Sequence, residues 1–90
     1  MPENMNPRST HLPEVAGAIE DVTATLVVPV GIREIQSFSV SLAQDPTAAE
    51  AIAVGVLSED KRELTLKVFA PDGVTPGMAA AKVAWLALGK

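Results

Sequence analysis

The chain has 90 residues, no cysteine and one histidine, so it has room for one domain and excludes disulfides, thiolate metal sites and histidine clusters. Its net charge of −4 argues against nucleic-acid binding, which requires a basic face. Hydrophobic residues make up 48% of the chain without any run of the roughly 18–20 apolar residues that a membrane helix needs, and this excess predicts contact with another protein surface.

Residues 1–21 are predicted to form an extended N-terminal arm, because Pro2, Pro7 and Pro13 and several small polar residues interrupt any period. The segment does not begin with basic residues followed by an apolar stretch, so it is not expected to be a signal peptide, and the chain is expected to be made in the cytoplasm. The arm can dock on its own domain or on another chain. In either case its contacts would come from its few apolar side chains, namely Met5, Leu12, Val15 and Ile19.

Residues 22–90 are predicted to form a compact β domain. Apolar and polar residues alternate there with a period of two, which predicts strands over residues 22–28, 36–42, 52–57, 64–69 and 81–88. In the clearest of these, Phe38, Val40 and Leu42 point one way while the intervening serines point the other. Turn-forming residues separate the strands, as at Pro71-Asp72-Gly73, where proline presets φ and glycine accepts a left-handed conformation.

Two segments, residues 47–57 and 78–88, also fit a helix. Thr47 and Glu50 have the spacing of a capping box, and the second segment is rich in alanine and is followed by Gly89. A strand is favoured for the first because Ile52, Val54 and Val56 alternate around a glycine. The second follows a loop of the hairpin type, so it too is predicted to be a strand.

The last predicted strand is apolar on both faces. Val83, Trp85 and Ala87 share one face, and Ala84, Leu86 and Leu88 share the other. A strand of this kind is expected to be covered on both sides. We therefore predict an all-β fold, a small five- to six-stranded antiparallel sandwich or barrel with the extended N-terminal arm. We also predict that Trp85, Leu86 and Leu88 contribute to a subunit or partner interface.

The residues that could carry catalysis or bind a metal are few and scattered. His11 lies in the arm, and no histidine or nucleophile motif accompanies the serines of residues 37–41. Lys61 and Arg62 lie between the acidic residues of the predicted hairpin at residues 58–63 and balance their charge. Asp72-Gly73 lacks the other positions of a calcium loop. The sequence therefore predicts no enzymatic activity, no cofactor and no metal site.

Three segments of the chain resemble small capsid decoration (cement) and head-fibre proteins of tailed phages. They are the opening strand with its Pro-x-Gly turn at residues 25–31, the alternating segment 35–42, and the Val-x-Trp-x-Ala-x-Gly ending at residues 83–89. The resemblance implies a compact β module, commonly a homotrimer, that sits on the outside of the capsid of a virion and clamps neighbouring major capsid subunits. It implies no catalytic residues.

A second hypothesis is a carbohydrate- or receptor-binding β module of a phage fibre or a similar surface structure. It depends on an exposed Trp85, since tryptophan is frequent at binding hot spots, and on the loops at residues 44–47 and 70–77. A buried Trp85 would argue against it.

Overall fold

The computed structural model describes residues 14–90, which form six β-strands and no helix. The strands are β1 (Glu14–Val22), β2 (Thr25–Pro29), β3 (Ile35–Leu42), β4 (Ile52–Leu57), β5 (Glu63–Phe69) and β6 (Ala81–Gly89). They make two three-stranded antiparallel sheets, which we call the first sheet (order β1-β6-β3) and the second sheet (order β2-β5-β4). The all-β prediction is thereby confirmed for this part of the chain.

Most strand predictions are confirmed, including the two segments that also fit a helix. The strand predicted over residues 52–57 is β4, and the strand predicted over residues 81–88 lies within β6. The prediction over residues 22–28 is wrong at its start, because Val22 ends β1 and the chain turns before β2 begins at Thr25. Residues 14–21, which the sequence assigns to the arm, belong to β1, and residues 1–13 lie outside the described part of the chain.

A tight turn carries the chain from the first sheet to the second. The amide of Thr25 donates a hydrogen bond to the carbonyl oxygen of Thr23 at 2.7 Å, and Ala24 between them has φ of +64°. A bond between residues two apart with a positive φ at the centre is a strained γ-turn. The carbonyl oxygen of Ala24 also accepts a hydrogen bond from the Val68 amide at 2.9 Å, which ties the turn to β5.

The core lies between the two central strands, β5 and β6. Leu64, Leu66 and Val68 point inward from β5 and are fully buried, and Val83 and Ala87 do so from β6. The sheets approach each other closely at Gly55 of β4, because a Cβ atom there would lie 2.5 Å from Cγ2 of Val40 and 3.1 Å from Cε2 of Phe38. The side chains of β3 therefore pack directly onto the backbone of β4.

A buried carboxylate fastens the β5–β6 loop to the β3–β4 loop. Oε2 of Glu50 accepts hydrogen bonds from the amides of Met78 at 3.0 Å and Ala79 at 3.3 Å, and Oε1 accepts one from the hydroxyl of Thr47 at 3.1 Å. These bonds, chiefly that from Met78, hold the pKa of Glu50 below its ordinary value against the opposing effect of desolvation. Thr47 and Glu50, which have the spacing of a helix capping box, thus stabilise the loop that precedes the strand β4.

Candidate interaction surface

The outward side of the first sheet carries four exposed apolar side chains, which we call the apolar outer face: Val15, Ile19, Leu86 and Leu88. They stand together because β1 and β6 are antiparallel and in continuous register, with Val15 opposite Leu88 and Ile19 opposite Ala84. Their exposed fractions are 63%, 64%, 46% and 39%. A contiguous patch of this kind is typical of a protein-binding site, whereas scattered exposed apolar residues are normal.

The apolar outer face follows from the two-sided pattern of β6. Since successive side chains of a strand alternate, the inward position of Val83, Trp85 and Ala87 forces Leu86 and Leu88 outward. The sequence predicts cover on both sides of this strand, but residues 14–90 supply it only on the inner side. Any cover for the outer side must come from outside the described part of the chain.

Polar groups border the apolar outer face on two sides. Ser37 and Ser39 of β3 lie opposite Leu88 and Leu86, and a shallow pocket of about 150 Å³ opens between these four residues beside Phe38. At the end of the face, Nζ of Lys82 lies 2.6 Å from Oδ1 of Asp21 in an exposed ion pair. An apolar centre with a polar rim is the usual composition of a protein–protein contact.

Glycine at position 17 lets β1 lie close against β6 beneath this face. A Cβ atom there would lie 2.9 Å from the carbonyl oxygen of Trp85 and 3.2 Å from Cδ1 of Leu86. The side chain of Leu86 therefore leans over the bare backbone of Gly17. This contact makes the apolar outer face continuous from β6 to β1.

Trp85 lies on the other side of β6, in the core. Only 7% of its surface is exposed, and its Nε1 donates a hydrogen bond to Oε2 of Glu20 at 3.2 Å. A buried tryptophan normally finds such a partner for its N–H. Its position argues against Trp85 as an exposed platform for a sugar, on which the carbohydrate-binding hypothesis depends.

Of the other predicted interface residues, four lie together on the first sheet and two lie outside the described part of the chain. Val15, Ile19, Leu86 and Leu88 form the apolar outer face. Met5 and Leu12 lie outside the described residues. The contribution of the arm to an interface therefore stays a prediction.

A second apolar patch, which the sequence pattern did not predict, lies on the outward side of the second sheet. Val27 lies opposite Thr65, and Val56 lies opposite the same threonine from the other side. Val27, Val54 and Val56 are 51%, 37% and 49% exposed. Their alternation signals a strand with one apolar side, but only the sheet pairing shows that this side faces outward.

Acidic side chains in two loops accept hydrogen bonds from the backbone of their own turns. Asp72 accepts hydrogen bonds from the amides of Val74 and Thr75, each at 2.8 Å, and from the Thr75 hydroxyl at 2.6 Å, which lowers its pKa. Asp60 accepts hydrogen bonds from the Ser58 hydroxyl at 2.6 Å and the Arg62 amide at 3.1 Å, and its pKa is also lowered, chiefly by Ser58. Hydrogen bonds within the turns account for the positions of both carboxylates, so no ligand is needed to explain them.

A wide cleft of about 580 Å³ opens at one end of the sandwich. It mixes charges of both signs with apolar groups, and its lining residues are Glu14, Pro29, Gly31, Ile32, Arg33, Asp60, Arg62 and Glu63. Within residues 14–90 no group of three or more histidine, cysteine or acidic side chains is placed to hold a metal ion. Nor does this part of the chain contain a helix long and apolar enough to cross a membrane.

Comparison of the chain with protein-family models, with curated proteins and with solved structures found no match. The candidate site therefore stands on its own geometry.

Proposed function

We propose that the protein is a non-enzymatic structural module that binds protein surfaces as a homo-oligomer and decorates the outside of a viral shell. The observation that carries the proposal is the apolar outer face, with its four exposed side chains on one side of a sheet. The residues that resemble phage decoration proteins, at 25–31, 35–42 and 83–89, fall on β2 with the turn after it, on β3 and on β6. The viral part of the proposal depends on the resemblance of these sequence segments.

The size of the apolar outer face suits a contact that is weak in one copy and strong in many. Full burial of an aliphatic side chain stabilises by about 1.5–3 kcal/mol. For the exposed fractions of the four side chains, this amounts to roughly 3–6 kcal/mol per chain. Association costs an estimated 4–15 kcal/mol in lost translational and rotational freedom, so this face alone does not give tight binding between single molecules.

Repeated copies on one assembly overcome that limit. When several binding faces are linked, each further contact forms at a high effective concentration, and the total affinity rises far above that of one face. An oligomer that touches several subunits of a shell at once uses this effect. The major capsid protein of that shell is the proposed partner.

The test is co-sedimentation of the purified protein with empty shells assembled from the major capsid protein encoded with it. We expect the protein to pellet with the shells, and the variant Leu86→Ser to remain in the supernatant. The matched control is Val56→Ser, which makes the same kind of change on the outward side of the second sheet. Wild-type protein that stays in the supernatant at saturating shell concentration would overturn the viral part of the proposal.

Sedimentation equilibrium tests the oligomer independently. One chain has a mass of 9.4 kDa, and we expect the mass in solution to be a multiple of it. The resemblance implies three copies, which stays a prediction. A mass of one chain at all accessible concentrations would refute a stable homo-oligomer.

A further inference from the structure

We propose that β1 pairs with β1 of a second copy, antiparallel and about Ala18, so that the first sheets of two chains become one six-stranded sheet. The inference rests on the proposed function, because it names a contact through which the proposed homo-oligomer forms. A two-fold contact joins two copies, whereas the resemblance implies three. It concerns the backbone edge of β1 and not only the apolar outer face.

The edge of β1 is the longest in the described structure and lacks the usual protection. Half of the backbone N–H and C=O groups of an edge strand point away from the sheet and can pair with another chain. β1 has nine residues, contains no proline or lysine, and keeps one register with β6 from Glu14 to Val22. Natural edges of this length are normally blocked, covered or paired.

The other three edges are shorter than that of β1, and two of them are interrupted. β2 has five residues and ends at Pro29, which has no amide hydrogen to donate. β3 has a register shift between Ile35 and Ser37, and irregularities of this kind twist an edge away from partners. β4 has only six residues. Among the described strands, β1 therefore offers a second chain the longest regular edge.

The acidic residues of β1 do not block this edge. Asp21 is held by Lys82 of β6, and Glu20 accepts the hydrogen bond from Trp85, so both carboxylates lean toward β6. Charged side chains protect an edge when they project over it. Here two of the three acidic groups are drawn away from the edge.

The charge pattern and the length of β1 together favour one pairing of the strand with itself. When all nine residues pair, each acidic residue lies opposite an apolar one, and the pairs are Glu14 with Val22, Val15 with Asp21, Ala16 with Glu20, Gly17 with Ile19, and Ala18 with Ala18. Moving the register by one or two residues toward the N-terminus brings Glu14 opposite Asp21 or Glu20, and like charges directly opposite are destabilising. Moving it toward the C-terminus opposes no like charges at first, but it leaves Glu14 without a partner and shortens the ladder. The full-length register is therefore favoured.

This register also joins the apolar outer faces of the two copies. Directly opposite residues of antiparallel strands share a face, so Ile19 of one copy stands over Gly17 of the other. The side chain of Leu86 already leans over Gly17, and Ile19 of the second copy would complete that contact. Such an interface is self-complementary about a two-fold axis, as most homo-oligomer contacts are.

Engineered cysteines test the pairing directly, because the natural chain has none. Opposite residues of antiparallel strands have Cα atoms about 4.5–5.5 Å apart, which lies within the range that a disulfide spans. We expect Ala18→Cys to give a disulfide-linked dimer on mild oxidation. The matched control is Ser39→Cys, exposed at the other edge of the same sheet, which is expected to form no disulfide-linked dimer.

A second pair of cysteines tests the register in which the two β1 strands pair. Val15 and Asp21 are opposite across the proposed interface, whereas position 15 lies about 20 Å from its own counterpart at the rise of a β-strand. We expect the double variant Val15→Cys/Asp21→Cys to cross-link and each single variant not to. Failure of Ala18→Cys to cross-link faster than Ser39→Cys, or equal cross-linking of the single and double variants, would overturn the inference.

These outcomes are separate from those of the shell-binding test. Co-sedimentation with shells together with a trimeric mass and no Ala18→Cys cross-link would retain the proposed function and refute the β1 contact. Cross-linking at position 18 without binding to shells would retain the contact and refute the viral role.

Discussion

Gly55 offers a sharp test of how the two sheets pack. A Cβ atom at this position would lie 2.5 Å from Cγ2 of Val40, 3.1 Å from Cε2 of Phe38 and 3.4 Å from Cδ1 of Leu64. Carbon atoms in contact normally lie about 3.5–4.0 Å apart. The variant Gly55→Ala therefore forces β3 and β4 apart or moves their side chains.

Two opposing effects set the size of the change. Alanine in a strand interior is favoured over glycine by about 0.5–1 kcal/mol, because less backbone entropy is lost on folding. Overpacking costs about 1–3 kcal/mol, and the stiff χ1 of a branched side chain such as Val40 limits relief. We expect net destabilisation of about 1–2 kcal/mol, which lowers Tm by roughly 5–15 °C in a domain of this size.

Urea unfolding followed by circular dichroism and by the fluorescence of Trp85, the single tryptophan of the chain, measures this effect. Protein concentration must be matched, because oligomer stability depends on it. The control is the double variant Gly55→Ala/Val40→Ala, in which the clashing methyl group is absent and a favourable coupling of at least about 0.5 kcal/mol is expected. A Gly55→Ala variant as stable as the natural chain, or a double variant with purely additive losses, would refute this account of the packing.

The two turns with positive φ, the carboxylate of Glu50 and the proposed contact of β1 can each be tested by substitution. Ala24 and Lys61 have φ of +64° and +61°, so Ala24→Gly and Lys61→Gly are each expected to be neutral or to stabilise by up to about 1 kcal/mol, and a lower urea midpoint in both would contradict the assigned turns. The pKa of Glu50 is lowered by folding from an ordinary value near 4.5, so its contribution to stability is present above that pH and is lost as pH falls through the folded-state pKa. Glu50→Gln should therefore be less stable at neutral pH and should lose stability less steeply in acid, as measured by urea midpoints across pH. If the urea midpoint of the variant falls with decreasing pH as steeply as that of the natural chain, the assigned hydrogen bonds of Glu50 are contradicted. Ile19→Lys should reduce the sedimenting mass to one chain while the monomer keeps its fold by circular dichroism, whereas Val56→Lys on the second sheet should keep the natural mass.

Local pattern accounts for the strands because their periodicity is strong. Residues 36–42, 52–57 and 64–69 alternate clearly, and each lies within a strand of the structure. The turn at Asp72-Gly73 is likewise explained by its own residues, since Gly73 has φ of +74° and Asp72 accepts the amides that follow it. Features of this kind need only neighbouring residues, so the sequence alone determines them.

β1 and the hydrogen bonds of the Glu50 carboxylate depend on partners that are distant in the chain. The sequence of β1 is interrupted by small and acidic residues, and it forms a strand because β6 supplies backbone partners from Glu14 opposite Gly89 to Val22 opposite Ala81. Glu50 has a local signal for a helix N-terminus, yet its carboxylate binds amides 28 and 29 residues further on. No local pattern encodes a pairing of this range.

The candidate interaction surface divides in the same way. The sequence alone shows that both sides of β6 are apolar, and it predicts Val15, Ile19, Leu86 and Leu88 as contact residues. Which side is covered was decided by the tertiary structure, because the second sheet packs against Val83 and Ala87 and no described layer lies over Leu86 and Leu88. A strand pattern shows that two faces are apolar, but only the arrangement of the sheets determines which of them the described residues leave exposed.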